Sequence, residues 1–301
     1  MRGVWSTLLI GITSLFSNWK LWVLVYGVNL FFALFIAFPF NSFFKTSIGD
    51  SLAGNESLNR FDYTFISDFL NKYGLGFDQI LKQSFFVGAL FLLLSIFLMG
   101  GIVERFLQKD TKFNFKNFWV ACHQNFWRLL RLTIYYLLIH LLIAAIFFKI
   151  FSIGGLSPFD LESDTALIFR IKLIGGLYLF FAALVMMFQD YAKLEVIKAD
   201  DKWITNSALS GIDFVFKHFL SCLILFLIQV LLFGLLTFVY ITIRKQFFMS
   251  SNGTIFLALF LGQIFIFGRV GLKLLRLSVA RELLWFVELG HEGSQRDKKS
   301  L

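Results

Sequence analysis

Apolar residues at helical spacing, followed at once by long apolar runs, are the main pattern of the chain. From Phe115 to Leu129 they fall at offsets 0, 3, 4, 7, 11 and 14, which makes one continuous stripe on an α-helix. Arg128 and Arg131 close this segment, and the apolar run Leu132 to Phe151 follows. About 20 apolar residues are enough for a helix to cross a bilayer. The pattern therefore predicts an amphipathic interfacial helix joined in series to a membrane span.

The same arrangement occurs twice more in the chain. The stripe from Trp5 to Trp19 has the same offsets, and a weaker stripe runs from Ala208 to Phe219. We therefore predict an all-α polytopic integral membrane protein with six transmembrane helices in three hairpins, each preceded by an amphipathic interfacial helix. The spans are predicted at about residues 21–40, 84–103, 132–151, 167–188, 218–243 and 254–275. Residues 1–290 would form a single transmembrane helical domain, and residues 291–301 a polar, disordered cytoplasmic tail.

Turn residues set the predicted helix ends in the first hairpin. Pro39 is predicted to end the first span because proline lacks the N–H that a helix needs. In the loop that follows, Asp62 would cap a short helix on the membrane surface, and Gly74 would stop it. Asp78 would then cap the second span.

Three units of this kind suggest an internal repeat. Phe16, Phe126 and Phe219 hold equivalent positions in the apolar stripes, at intervals of 110 and 93 residues. Three direct repeats would give parallel units, unlike the inverted halves of many secondary transporters. The alternative is that any six-helix protein with interfacial helices looks periodic. The sequence leaves both interpretations open.

Composition excludes a soluble protein and a β-barrel. A chain of 301 residues with 58% hydrophobic residues and 42 Phe cannot hide its apolar side chains in one soluble core. Only 2 Pro and apolar runs of about 20 residues favour helices over the strands of about ten residues found in membrane barrels. Nothing pairs Cys122 with Cys222, so neither a disulfide framework nor a metal site is supported, and no cofactor is expected.

The net charge of +9 comes from basic residues that cluster beside the predicted spans. There they set topology and contact anionic headgroups, so a nucleic-acid partner is not expected. On the side of the termini lie 19 of the 28 basic residues, which predicts that both termini are cytoplasmic. The short turn with Arg244 and Lys245 is the exception.

Tryptophans and basic residues occur together on the three predicted interfacial helices. We call these three helices the collar. Such residues anchor helices at headgroup depth and bind anionic lipid. The candidate headgroup contacts are Trp5, Trp19, Trp119, Trp127, Arg128, Arg131, Trp203 and Lys217.

Polar residues inside the spans are the second set of candidates: Asn29, His140, Gln229 and Gln263. They could line a polar path or bind a solute. They could instead tie helices together by hydrogen bonds worth about 0.6 to 2 kcal/mol each. We favour interhelical hydrogen bonding, since a lone histidine is not a proton relay.

Catalytic motifs are absent from the sequence. It contains no HExxH, no GxSxG and no glycine-rich phosphate loop. An enzyme would have to assemble an interfacial site from His123, Glu104, Asp190 and Glu195. We therefore predict that the protein is not an enzyme.

Several short segments resemble a group of uncharacterised bacterial six-span membrane proteins. They are Gly100 to Ile102, Phe126 to Leu132, Asp190 to Lys193, Phe214 to Phe219, and Gly268 and Arg269 with Lys273 to Leu275. The chain is more weakly similar to the membrane region attached to some glycerophosphodiester phosphodiesterases, without a catalytic domain. The resemblance implies a bacterial inner membrane and carries over no active site. We expect a non-enzymatic scaffold or accessory protein that interacts with lipid or a membrane partner; the alternative is a transporter or channel for a small solute.

Overall fold

The computed structural model describes residues 2–48, 63–108, 113–152, 164–199, 204–246 and 252–299. Within these residues the chain forms helices and no strands. The helices are α1 (Arg2–Ser17), α2 (Trp19–Ile48), α3 (Tyr63–Leu107), α4 (Phe115–Ser152), α5 (Asp164–Lys198), α6 (Ile204–Lys217), α7 (Phe219–Lys245) and α8 (Asn252–Lys299). Six of these helices are long and apolar enough to cross a membrane: α2, α3, α4, α5, α7 and α8. The predicted all-α, multi-pass architecture is confirmed.

The helices of the first hairpin are longer than predicted. Helix α2 continues through Pro39 to Ile48, and α3 continues through Gly74 and Asp78, so the predicted ends at Pro39 and Gly74 are wrong. Asp62 lies outside the described residues. Aromatic packing between the two helices stabilises the extra turns: the Phe44 and Phe69 rings stack with centroids 4.9 Å apart.

The segments predicted to be interfacial and spanning follow one another directly, as the sequence pattern predicts. A single-residue turn at Asn18 joins α1 to α2, and a turn at His218 joins α6 to α7. In α4 both segments belong to one unbroken helix, Phe115–Ser152. The polypeptide therefore enters three of its spans from an adjacent helical segment.

The chain folds into two compact units, and several helices contribute to both. The second unit comprises Leu15–Ser95 and Ile228–Leu275. In it, Trp22 of α2 donates a hydrogen bond from Nε1 to the Phe267 carbonyl at 2.8 Å and stacks on the Phe267 ring at 4.5 Å. The Tyr240 and Phe265 rings stack at 4.6 Å between α7 and α8. Aromatic rings thus contribute to the packing of α2 and α7 against α8.

The first unit comprises Met1–Ser14, Ile96–Leu227 and Arg276–Leu301. It contains most of the collar helices and the C-terminal ends of α3, α5 and α8. The limits predicted from the sequence, 1–290 for one domain and 291–301 for a tail, stay predictions, although α8 extends to Lys299.

Candidate functional site

Three close helix contacts of one kind hold the first unit together. A Cβ atom on Gly11 of α1 would lie 3.1 Å from the Val279 Cα of α8. A Cβ on Gly211 of α6 would lie 2.8 Å from the Ala192 Cα of α5. In each pair, a collar helix approaches the end of an even-numbered span at backbone distance. Only very small residues permit such an approach.

The third contact joins α3 to the collar segment of α4. A Cβ on Gly101 would lie 2.5 Å from the Cys122 Sγ, and a Cβ on Gly100 would lie 3.3 Å from the Cys122 carbonyl oxygen. Each collar helix therefore packs on the even-numbered span that precedes it in the chain, and the first collar helix packs on the last span. The second collar helix packs on the end of the second span, the third on the fourth span, and the first on the sixth.

These contacts show which residues of the three repeat units are equivalent, and we call this correspondence the register. Gly11, Cys122 and Gly211 lie 111 and 89 residues apart, and their partners Gly101, Ala192 and Val279 lie 91 and 87 residues apart. Three residues after each partner stands a glutamate: Glu104, Glu195 and Glu282. The register makes Phe16 equivalent to Trp127 and Phe216. The predicted equivalents, Phe126 and Phe219, lie one and three residues away from these positions.

Equivalent residues of the three even-span ends, which we call the hub (residues 98–107, 189–198 and 276–285), are buried. The buried positions are Met99, Asp190 and Leu277; Val103, Leu194 and Arg281; and Phe106, Ile197 and Leu284. Their spacing of four and three residues is that of a coiled-coil seam. Two of the nine residues are charged, so the hub is not a purely apolar core.

Asp190 of α5 and Arg276 of α8 form an ion pair that joins two of the hub helices. Asp190 is 2% exposed, and its carboxylate also accepts a hydrogen bond from Lys193 Nζ at 3.2 Å. The Arg276 guanidinium pairs with the same carboxylate from α8. The two cationic partners compensate the charge of this buried carboxylate.

Arg281 is the second buried charge. It is 2% exposed, forms an ion pair with Glu282, and donates to the Leu107 carbonyl of α3 at 3.5 Å. Its guanidinium lies 5.3 Å from the centre of the Trp285 ring, a cation–π distance. Arg281 thus links the end of α8 to the end of α3, and the Asp190–Arg276 pair links the end of α8 to α5.

A small polar cavity of about 30 Å³ lies at the contact between α3 and α4. Glu104, Gln108 and Asn117 contribute to its lining. The register makes Gln108 equivalent to Phe286. The Phe286 ring packs against Gly3 of α1, in the place that corresponds to this cavity. The cavity can hold one or two waters and no larger ligand.

The predicted headgroup residues on the collar are mostly exposed. Trp5, Trp19, Trp119 and Trp127 have exposed fractions of 60%, 56%, 45% and 61%. Arg131 and Lys217 are exposed and Arg128 is half-buried, while Lys217 forms an ion pair with Asp213. Trp203 lies outside the described residues. The side chains that face away from the protein are thus aromatic and basic.

The intramembrane polar residues use different partners. Asn29 Nδ2 donates to the Val25 carbonyl at 2.7 Å, and His140 Nδ1 lies 2.7 Å from the Tyr136 carbonyl, both within one helix. Gln263 accepts an interhelical hydrogen bond from Tyr26 at 2.9 Å. His140 Nε2 and Gln229 Oε1 are buried and have no hydrogen-bond partner among the described residues.

The residues considered for an interfacial enzyme have separate surroundings. Glu104 accepts a hydrogen bond from Gln108 at 2.8 Å, Asp190 is held in its ion pairs, and His123 is exposed. The described residues contain no group of three or more His, Cys, Asp or Glu that could hold a metal ion. Both cysteines are buried, and Cys122 packs against Gly101.

Sequence reasoning missed Arg276, Arg281 and the contact glycines Gly11 and Gly211. The signal available in the sequence was the spacing of Asn29, His140 and Gln229, whose intervals of 111 and 89 residues are those of the contact residues. No family model matches the chain, and neither a curated protein nor a solved structure matches it.

Proposed function

We propose that this protein is a non-enzymatic scaffold or accessory protein of the bacterial inner membrane, which organises anionic lipid or a membrane partner through its collar. The observation that carries this proposal is the two-sided character of the collar. Gly11, Cys122 and Gly211 are buried against the hub, whereas Trp5 and Trp127 are 60% and 61% exposed. A closely packed inner side gives a stiff platform, and exposed aromatic and basic side chains suit the headgroup layer.

The orientation is part of the proposal. The excess of basic residues on the side of the termini supports a cytoplasmic location for both of them. In this orientation the collar faces the leaflet that carries the negative surface potential. The resemblance to bacterial six-span proteins supports the inner membrane.

Reversing the two collar arginines is expected to weaken lipid retention. In the double variant Arg128→Glu, Arg131→Glu, each cation lost removes about 1 kcal/mol of attraction to an anionic surface, and the new carboxylates add repulsion. We expect the purified variant to carry several-fold less phosphatidylglycerol, measured by lipid mass spectrometry. The matched control is Lys45→Glu, Lys82→Glu, which changes the same charge on exposed residues of α2 and α3. Equal lipid loss in both folded variants would refute a specific role for the collar.

A transporter or channel is the second candidate, and one observation favours it. Asn29, His140 and Gln229 are equivalent in the register of the close contacts, and two of them have a buried atom without a partner among the described residues. Such atoms cost free energy in hydrocarbon, and a bound solute or water would satisfy them.

Cysteine accessibility distinguishes the two functions. In a chain with Cys122 and Cys222 replaced, we expect cysteines at positions 29, 140 and 229 to be inert to small water-soluble thiol reagents. The replacements His140→Leu and Gln229→Leu should then cost at most about 1–2 kcal/mol each. A cysteine at Lys45, which is exposed, is the positive control for labelling. Labelling at two or more of the three positions would favour transport.

A further inference from the structure

The register of the close contacts relates three exposed aromatic residues. Phe16, Trp127 and Phe216 each follow a contact residue (Gly11, Cys122 or Gly211) by five positions. Their exposed fractions are nearly equal, at 60%, 61% and 66%. The register was set by buried backbone contacts, so the agreement in exposure is an independent observation. Three collar helices thus present one aromatic side chain each in the same way.

A cation accompanies each of these aromatic residues. Lys20 follows Phe16 by four residues, and Arg131 follows Trp127 by four. Residues four apart lie on the same helix face where the helix is continuous, as it is in α4. In the third unit the equivalent position is Leu220, and Lys217 stands next to Phe216 instead. Lys20, Arg131 and Lys217 are all exposed.

An exposed aromatic ring with an exposed cation one to four residues away in the chain suits an amphiphile with a negative headgroup. The ring favours the boundary between acyl chains and headgroups, and the cation attracts a phosphate. A free phosphate would use only the cation and gain nothing from a ring that is 60% or more exposed. A zwitterionic lipid would gain little from the cation.

We infer that the collar carries three quasi-equivalent sites for anionic phospholipid, one at each of Phe16, Trp127 and Phe216. This inference rests on the proposed function and adds the number of sites and their positions to it. The sites differ in strength. In the second, Arg131 lies on the same helix face as Trp127, whereas in the third Lys217 is already paired with Asp213. Affinity should therefore be highest at the second site and lowest at the third.

Native mass spectrometry of the full chain tests the inference. The detergent-solubilised protein is titrated with phosphatidylglycerol, and with phosphatidylcholine as the neutral reference. We expect up to three phosphatidylglycerol molecules to bind more tightly than phosphatidylcholine. Each of Lys20→Gln, Arg131→Gln and Lys217→Gln should weaken one binding step about fivefold and leave the other two unchanged. Asp213→Asn should strengthen the weakest step, because it releases Lys217 from its ion pair.

Three outcomes would overturn the inference, and they can be told apart. Loss of all bound lipid on Arg131→Gln alone would mean a single site, and the proposed function would survive. Equal competition by inorganic phosphate at each step would mean that the cations bind phosphate without the lipid. No preference for phosphatidylglycerol in the unchanged protein would refute the proposed function itself. Lys45→Gln is the matched control for an exposed lysine outside the collar, and all variants are compared as monodisperse protein on size exclusion.

Discussion

Gly211→Ala is expected to be among the most damaging single-atom changes in this protein. The new Cβ would lie 2.8 Å from the Ala192 Cα and 2.9 Å from the Ala192 nitrogen. Both are backbone atoms, so no side chain can rotate away and α6 must separate from α5. Overpacking of this kind costs about 1–3 kcal/mol or more. The measurement is the midpoint of thermal unfolding in detergent, followed by tryptophan fluorescence.

Gly176→Ala is the matched control because Gly176 lies in α5, and a Cβ added there would meet no neighbouring atom within 4 Å. Alanine is the better helix former by about 0.5–1 kcal/mol, so this variant should be unchanged or slightly more stable. Gly11→Ala should resemble Gly211→Ala, because its Cβ would lie 3.1 Å from the Val279 Cα. Similar unfolding midpoints for Gly176→Ala and Gly211→Ala would contradict the close approach of α5 and α6.

The helical class and the six spans could be predicted because the bilayer fixes the length of an apolar helix. The ends could not be predicted in the same way. Pro39 and Gly74 are helix breakers in water, where a freed backbone group finds a water partner. Near a membrane such groups have fewer partners, so the chain keeps its helix and packs it through rings such as Phe44 and Phe69.

The repeat register could be predicted only approximately, because apolar stripes recur at nearly every helical turn. A shift of one residue makes Phe16 equivalent to Phe126 instead of Trp127, and the stripe still looks apolar. The collar face that packs against protein is different in character. In α1 it carries Thr7 and Gly11, which are small, while Trp5 in the apolar stripe is 60% exposed. The apolar stripes contain buried residues such as Phe118 and Leu129 as well as exposed ones such as Trp5, so a stripe alone does not separate the packed face from the outer face.

The charged hub lay beyond sequence reasoning for another reason. Asp190 looked like one of many charges at a helix end, where water is the usual partner. Its partner Arg276 is 86 residues away, and no local pattern joins them. The pairing of Asp190 in α5 with Arg276 in α8 is a property of the assembled helix ends.

Asp190→Met is expected to destabilise the hub strongly, because it leaves Arg276 and Lys193 without their shared carboxylate. Breaking a buried pair by removing one partner costs about 3–5 kcal/mol. We expect the cost of Asp190→Met to lie near the lower value, about 3 kcal/mol, because the Arg276 side chain is 28% exposed. Methionine is the matched choice because Met99 occupies the equivalent position in α3. Thermal unfolding in detergent is again the measurement, and Lys198→Ala, which breaks a pair with Glu288 that is 40% exposed on both sides, should cost about 1 kcal/mol or less.

The double variant Asp190→Met, Arg276→Leu should recover most of this loss, because α3 carries the apolar residues Met99 and Leu98 at the equivalent positions. Recovery would mean that the charges are not needed to close the hub, and that folding alone does not explain them. A recovered double variant that still retains phosphatidylglycerol would separate the ion pair from the collar. A double variant as unstable as the single one would instead show that the Asp190 site requires charge, and would contradict the equivalence of the three hub helices.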